Sequence, residues 1–212
     1  MENIFAVYKP KGPSSHDIVN QIRRATGIKK VGHAGTLDPL AKGVLVIAVG
    51  RTATKQLNAI QAKEKEYIAD IKLGETSATY DAQGEKIPTG EIPLTSEQLK
   101  SKLAKFIGVV DQIPPKFSAL KLGGKTAYKM ALKGTDFVMQ PRKVFIKNIE
   151  LLEYAWPHLK LKVTCGPGTY IRSIANDLGG YLTDLERTKV GDYTLANAIS
   201  MSNFEKPNPK PL

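Results

Sequence analysis

The 212-residue sequence predicts an α+β fold, and three observations predict it. Val44-Leu45-Val46-Ile47-Ala48-Val49, ended by Gly50, is a short β-branched apolar run that reads as a buried strand. Other segments carry helical spacing between capping and stop residues. Strands and helices then follow one another without the regular βα alternation that would indicate a parallel, doubly wound sheet.

Taken in order, Val19 to Thr26, with Ile18, Val19, Ile22 and Ala25 at helical spacing, reads as a short amphipathic helix after the start signal Ser14-Ser15-His16-Asp17. After the Val44–Val49 strand, Thr52 to Asn58 opens a second helix. Tyr67 to Leu73 alternates as a half-buried strand does and ends at Gly74. Thr79 to Pro93 is polar and turn-rich, a surface excursion. Ser96 to Phe106 reads as a helix with Ser96 as its cap, Leu99, Leu103 and Phe106 on one face, and Gly108 beyond it. Ala127 to Lys133 is a short helix stopped by Gly134, Val144–Tyr154 and Leu159–Cys165 are strands, and Tyr170 to Leu178 is a helix stopped by Gly179-Gly180. The proline-rich Lys206–Pro211 segment has nothing to fix it.

Composition narrows the function classes. Thirty-one Lys and Arg against 20 Asp and Glu leave a net charge of +11, which favours a polyanionic partner, most simply a nucleic acid. The basic residues cluster: Lys116, Lys121, Lys125, Lys129, Lys133, Arg142, Lys143 and Lys147 face one acid, Asp136, and are interleaved with Phe117, Tyr128, Phe137 and Phe145. Phosphate neutralisation together with stacking surface is what an RNA-contacting segment needs. The one cysteine, Cys165, excludes an internal disulfide and a Cys-based zinc site, and reads as a strand-end packing residue. Neither an apolar run of about eighteen residues nor a secretory leader occurs, so no membrane partner and a cytoplasmic setting are expected. Glycine-rich nucleotide-binding patterns and His/Cys metal spacing are missing as well, so no cofactor and no metal are expected.

The most informative stretch is Gly32-His33-Ala34-Gly35-Thr36-Leu37-Asp38-Pro39-Leu40. Two glycines loosen the backbone ahead of Asp38, and Pro39 biases Asp38 away from the helical region. A polar loop feeding a rigid strand can hold a reactive carboxylate over a cleft, although an aspartate in such a place can also simply cap a turn. This stretch resembles the GHxGxLDPxAxG motif of the TruB family of tRNA pseudouridine synthases. Four further stretches match that family in order: Tyr8–Ser15 (KPxGxTS, with Ser15 where Thr or Ser is usual), Lys65-Glu66-Tyr67, Gln112–Lys121, and Cys165–Ser173 around GTYIR.

The resemblance implies a pseudouridine synthase catalytic fold: a mixed, largely antiparallel central sheet flanked by helices and loops. It implies one catalytic domain over residues 1–205, an inserted RNA-gripping arm over 112–142, and a flexible tail over 206–212. It gives Asp38 the catalytic role, nucleophile at C1′ or base on the ribose, with Arg172 holding the carboxylate ionised. Tyr67 stacks on the extruded uracil, Tyr170 and Leu185 line its pocket, and His33 wedges into the RNA loop, general base being the rival role. Lys9 buttresses the site or contacts phosphate, and Lys116, Lys121, Lys125, Lys129 and Lys133 grip the RNA backbone. Read without the resemblance, Arg172 is a surface arginine, Tyr67 a strand tyrosine and Leu185 a core residue.

Two departures stand out. Leu132 occupies a place where many members carry arginine, with Lys133 beside it to take over a phosphate contact. Leu212 ends the chain where members usually continue into a C-terminal RNA-binding module, often of PUA type. The expected activity is therefore that of a short, standalone, monomeric enzyme with no obligate protein partner. It would recognise the tRNA T arm by shape and isomerise a T-loop uridine (position 55 in tRNA numbering). A non-catalytic tRNA-binding or folding protein on the same fold is the alternative, and a glycosidic hydrolase using Asp177 and Asp184 is a third.

Overall fold

The structure, a computed structural model, describes residues 3–204. The tail expected to be flexible lies outside the described residues. In chain order the elements are β1 (Asn3–Lys9), α1 (Ser15–Thr26), β2 (Val31–His33), β3 (Ala41–Val49), α2 (Arg51–Lys55), α3 (Leu57–Gln61) and β4 (Lys65–Leu73). The hairpin β5 (Glu75–Ser77) and β6 (Lys86–Pro88) follows, then α4 (Ser96–Ala104), β7 (Gly108–Gln112), β8 (Lys121–Leu122), β9 (Lys125–Thr126) and α5 (Ala127–Leu132). The last are β10 (Arg142–Ala155), β11 (His158–Cys165), α6 (Ile171–Asp177), β12 (Gly180–Val190), β13 (Tyr193–Thr194) and β14 (Ile199–Ser200). The mixture is α+β, as the sequence predicts. The chain divides into two compact units: residues up to Ile68 with those from Asp184 onward, and Ala69–Thr183.

In the first unit β3 is the organising strand. It runs antiparallel to β1 from Asn3↔Val49 to Lys9↔Gly43, parallel to β12 through Leu185↔Ala41 and Arg187↔Gly43, and antiparallel to β2 through Val31↔Val49 and His33↔Ile47. Every residue from Gly43 to Val49 is buried, which is why this strand reads as a continuous apolar run rather than an alternating one. Ala6, Ala34, Val44, Val46 and Val190 form a core cluster, with Ile4, Leu57 and Tyr193 packed on it. Helix α1 starts at Ser15 rather than Val19, because a capping box closes its first turn: the Asp17 N–H donates to Ser14 Oγ at 3.2 Å, and the Ser14 N–H to Asp17 Oδ2 at 2.8 Å. It ends at Gly27 in the left-handed region, φ 70°. The helix expected over 52–58 is two short helices instead, because the Gln56 N–H bonds back to the Ala53 carbonyl in a tighter turn.

In the second unit β10 pairs antiparallel with β7 on one side and β11 on the other. The cap of α4 is Thr95 rather than Ser96: the Gln98 N–H donates to Thr95 Oγ1, and Gln98 Oε1 accepts from the Thr95 N–H. Strands β1, β7 and β12 had no counterpart in the sequence reading. The turn-rich 79–93 excursion holds a buried residue, Asp81, beside the β5–β6 hairpin. Cys165 is buried at the end of β11.

Candidate active site

Asp38 lies in the irregular segment between β2 and β3, and other groups of the first unit hold the backbone on either side of it. Ser15 Oγ donates to the Leu37 carbonyl at 2.9 Å and accepts from the Leu37 N–H at 2.8 Å, so one buried hydroxyl fixes both polar groups of the preceding residue. The Gly12 N–H donates to the Pro39 carbonyl at 2.8 Å, and the Ala41 N–H to the carbonyl of Asp38 itself at 3.0 Å. Arg187, from β12, donates to the Gly35 carbonyl at 3.0 Å. Buried polar groups satisfied from several directions leave a loop little freedom.

Lys9 ends β1 and is fully buried. Its ammonium donates to the carbonyls of Pro10 at 2.9 Å and Ala41 at 2.6 Å, so it is committed to protein groups around the Asp38 loop. Burial lowers its pKa to about 8, the Asp38 charge opposes that shift, and the Arg187 guanidinium adds to it. His33 is the last residue of β2, and its Nδ1 is buried without a hydrogen bond among the described residues. Burial pulls its pKa below the usual histidine value. Arg187 and His16 add to this and the Gly35 backbone opposes it, so the ring is neutral at neutral pH. Leu185 is buried on β12 in register with Ala41, three residues beyond Asp38. Tyr67 is buried on the inward-facing row of β4 with Lys65. The first unit thus contains Lys9, His33, Asp38, Tyr67 and Leu185.

Arg172 and Tyr170 belong to the second unit, at the start of α6. Arg172 Nη1 donates to the Thr79 carbonyl at 3.0 Å and pairs with Asp81 Oδ2 at 3.3 Å, while Nη2 donates to the Phe117 carbonyl at 3.0 Å. Asp81 is shaped for this: its Oδ1 accepts from Thr79 Oγ1 at 2.6 Å and the Gln83 N–H at 3.0 Å. Tyr80 between them adopts φ 62°, an uncommon conformation for a residue with a Cβ. Gln112 grips the backbone of Tyr170 twice, accepting from its N–H at 2.8 Å and donating to its carbonyl at 3.1 Å, and Ser173 Oγ donates to the Ile113 carbonyl at 2.7 Å. Three neighbouring residues of α6 and its cap therefore tie down the segment 112–117.

A match to a family model decides the family. The model described as TruB family pseudouridylate synthase (N terminal domain) matches residues 23–171. The chain belongs to the TruB family. Among its relatives, the tRNA pseudouridine synthase B of Protochlamydia amoebophila is 42% identical over 206 residues, covering 94% of this chain and 78% of the relative. That of Phocaeicola vulgatus is 44% identical over 211 residues, covering 92% and 88%. Among solved structures, a chain of a Cbf5-Nop10-Gar1 complex superposes with a TM-score of 0.72 at 27% identity, covering 94% of this chain and 52% of its own length. This chain therefore spans about half of that one.

The family's reaction sets the context for the remaining residues. Lys116, Lys121, Lys125, Lys129 and Lys133 are all exposed, the middle three on β8, β9 and α5. The Lys116 ammonium lies 5.5 Å from the Phe137 ring centroid, and Phe117 meets Tyr128 edge-on at 6.2 Å. Leu132 is exposed beside Lys133. Asp184, one of the two acids considered for hydrolysis, bonds to Lys42 at 2.6 Å and Lys11 at 3.1 Å. Burial raises its pKa, but these two hydrogen bonds outweigh that and lower it overall, so it is a poor proton donor. Gln112 is legible as the start of a motif but not for its hold on Tyr170, and nothing in the sequence singles out Asp81 or Arg187. Their partners lie 58 to 152 residues away, where no local pattern points to them. Ser15 was legible as part of a motif, but its hold on Leu37 was not. Among the described residues no three His, Cys, Asp or Glu side chains gather to hold a metal ion, and no helix is long and apolar enough to cross a membrane.

Proposed function

We propose that this pseudouridine synthase acts on tRNA, converting the T-loop uridine at position 55, with Asp38 as its catalytic residue. The observation that carries the reading is the immobilisation of the Asp38 loop: Gly12, Ser15 and Arg187 hold its backbone on both sides of Asp38, and the Asp38 charge acts on the buried Lys9. RNA binding alone would be better served without a negative charge in this loop.

In the reaction the N1–C1′ bond breaks, the uracil turns, a C5–C1′ bond forms, C5 loses its proton to solvent and N1 regains one. No electrons are exchanged. Asp38 acts at the sugar as nucleophile or base, and Arg172 is the proposed guanidinium partner. Asp81 would aim Arg172, since it fixes one edge of the guanidinium.

The target base has to leave its stack to be reached. Tyr67 would stack on it, Tyr170 and Leu185 would line its pocket, and the neutral His33 ring would enter the RNA loop in place of displaced bases. The exposed lysines of the arm over 112–142 would neutralise T-arm phosphates, and the buried Lys9 would serve the loop rather than the RNA. The enzyme would work as a monomer in the cytoplasm without cofactor, as one catalytic domain over residues 1–205.

Product analysis of an unmodified tRNA transcript tests this. Pseudouridine at the T-loop position supports the reading. Unchanged but bound RNA would favour a binding protein, and free uracil a hydrolase.

A further inference from the structure

We infer that Arg187 is a positioning residue for the reaction: its guanidinium indexes the Asp38 loop against strand β3. The inference rests on the reading of Asp38 given above. Arg187 is 1% exposed. Its Nε donates to the Val44 carbonyl at 2.8 Å, Nη2 to the Gly35 carbonyl at 3.0 Å, and Nη1 to the Thr36 carbonyl at 3.5 Å. One planar group thus holds two consecutive carbonyls just before Asp38 and one on the strand just after it, so loop and strand share a rigid reference. A lysine, with one compact ammonium on a flexible stem, cannot span these three acceptors in the same way.

The surroundings fit a group retained for its charge and shape. Among the described residues no carboxylate lies at ion-pair distance from Arg187, and a buried cation balanced only by carbonyl dipoles costs more than an apolar side chain of similar size. The backbone is fitted to it as well. A Cβ at Gly43, where φ is 107°, would come within 2.3 Å of the Arg187 carbonyl oxygen. Only glycine lets β3 and β12 approach closely enough for the guanidinium to reach Gly35 and Thr36. Gly35 has φ 94°, and a Cβ there would meet Nη1 at 3.7 Å. The charge acts on neighbours of Asp38 too, disfavouring protonation of both Lys9 and His33.

The test compares the full chain with Arg187→Gln, Arg187→Lys and Asp38→Asn on a tRNA transcript. It measures single-turnover rate, tRNA Kd, and the titration of the His33 ring by NMR, assigned by its loss in His33→Gln. Arg187→Gln is expected to bind tRNA within about threefold of wild type, to react at least a hundredfold more slowly, and to show His33 titrating at higher pH. Arg187→Lys is expected to restore the His33 titration toward wild type while remaining about tenfold slow.

If Arg187→Gln does not fold, Arg187→Lys decides: a slowed reaction with unchanged Kd supports the inference, and a wild-type rate overturns it. The inference is also overturned if Arg187→Gln reacts at the wild-type rate, or if its rate falls only in proportion to lost binding or folded protein. Activity surviving in Asp38→Asn would instead overturn the reading of Asp38, whatever the Arg187 variants do.

Discussion

Arg172 and Asp81 form an ion pair at 3.3 Å in which only 5% of each side chain is exposed. The pair joins the start of α6 to the turn after β5. The guanidinium reaches further, to the Phe117 carbonyl, where the segment rich in lysines begins. A buried pair of this kind contributes little net stability compared with apolar residues, but breaking it leaves an uncompensated charge. Its value lies in fixing where the arginine points.

Asp81→Ala should therefore lower both stability and activity. Loss of one partner from a buried pair costs about 3–5 kcal/mol, which urea unfolding would read as a lower midpoint. The single-turnover rate should fall with it under conditions where the variant is still folded. A rate unchanged in folded Asp81→Ala would mean that the direction of Arg172 does not matter to the chemistry.

Ser15→Ala removes one hydroxyl and leaves the N–H and carbonyl of Leu37 without their partner. An orphaned buried polar group costs about 1–3 kcal/mol, so a loss of that size in unfolding free energy is expected. The turnover rate should fall by more than tRNA binding does, because the loop that loosens carries Asp38. Equal losses in both would place Ser15 in binding.

Much of this arrangement is legible in the sequence, and the remainder is hidden for physical reasons. Gly35 and Pro39 announce a non-regular loop, and the loop is where Asp38 sits, whereas Gly32 and His33 pair with β3 as part of β2. The start signal at Ser14–Asp17 announces α1, although its first turn, from Ser15, carries too little apolar periodicity to be read as helix. Strand β12 was invisible because its inward positions do not alternate cleanly: Leu182 and Leu185 are both buried although three residues apart, and a further inward position is the arginine Arg187. Asp81 sits in a polar turn whose composition suggests exposure, and its partner lies 91 residues away. Patterning reveals which face is apolar, but not which distant charge will be buried against another.

Lys9 gives stability a pH dependence of definite sign. Its pKa falls from 10.5 in the unfolded chain to about 8 in the folded one. Below pH 8 the lysine is charged in both states, and the cost of burying the ammonium is fully present. Between 8 and 10.5 the unfolded chain binds more protons, so this residue's contribution to stability rises with pH and then levels off. Unfolding free energies of wild type and Lys9→Met, measured by urea across that range, should show a rise in wild type that the variant lacks. Parallel curves would mean that Lys9 is not buried as a cation.

Neutralising Lys125, Lys129 and Lys133 together to glutamine should weaken tRNA binding and flatten its salt dependence. Each phosphate contact contributes roughly 0.7–0.9 to the slope of log K against log salt, so three lost contacts should reduce it by about 2–3. An unchanged slope would show that this segment does not touch the RNA.

The central claim is that Asp38 carries out the isomerisation on tRNA. Its most direct test is release of tritium from C5 of a uracil-labelled, unmodified tRNA transcript, with wild type and Asp38→Asn side by side. Wild type should release tritium stoichiometrically and lose that release when the T-loop uridine is replaced, and Asp38→Asn should release none even though it still binds the tRNA. Release by Asp38→Asn at a rate within tenfold of wild type would contradict it and remove Asp38 from the chemistry.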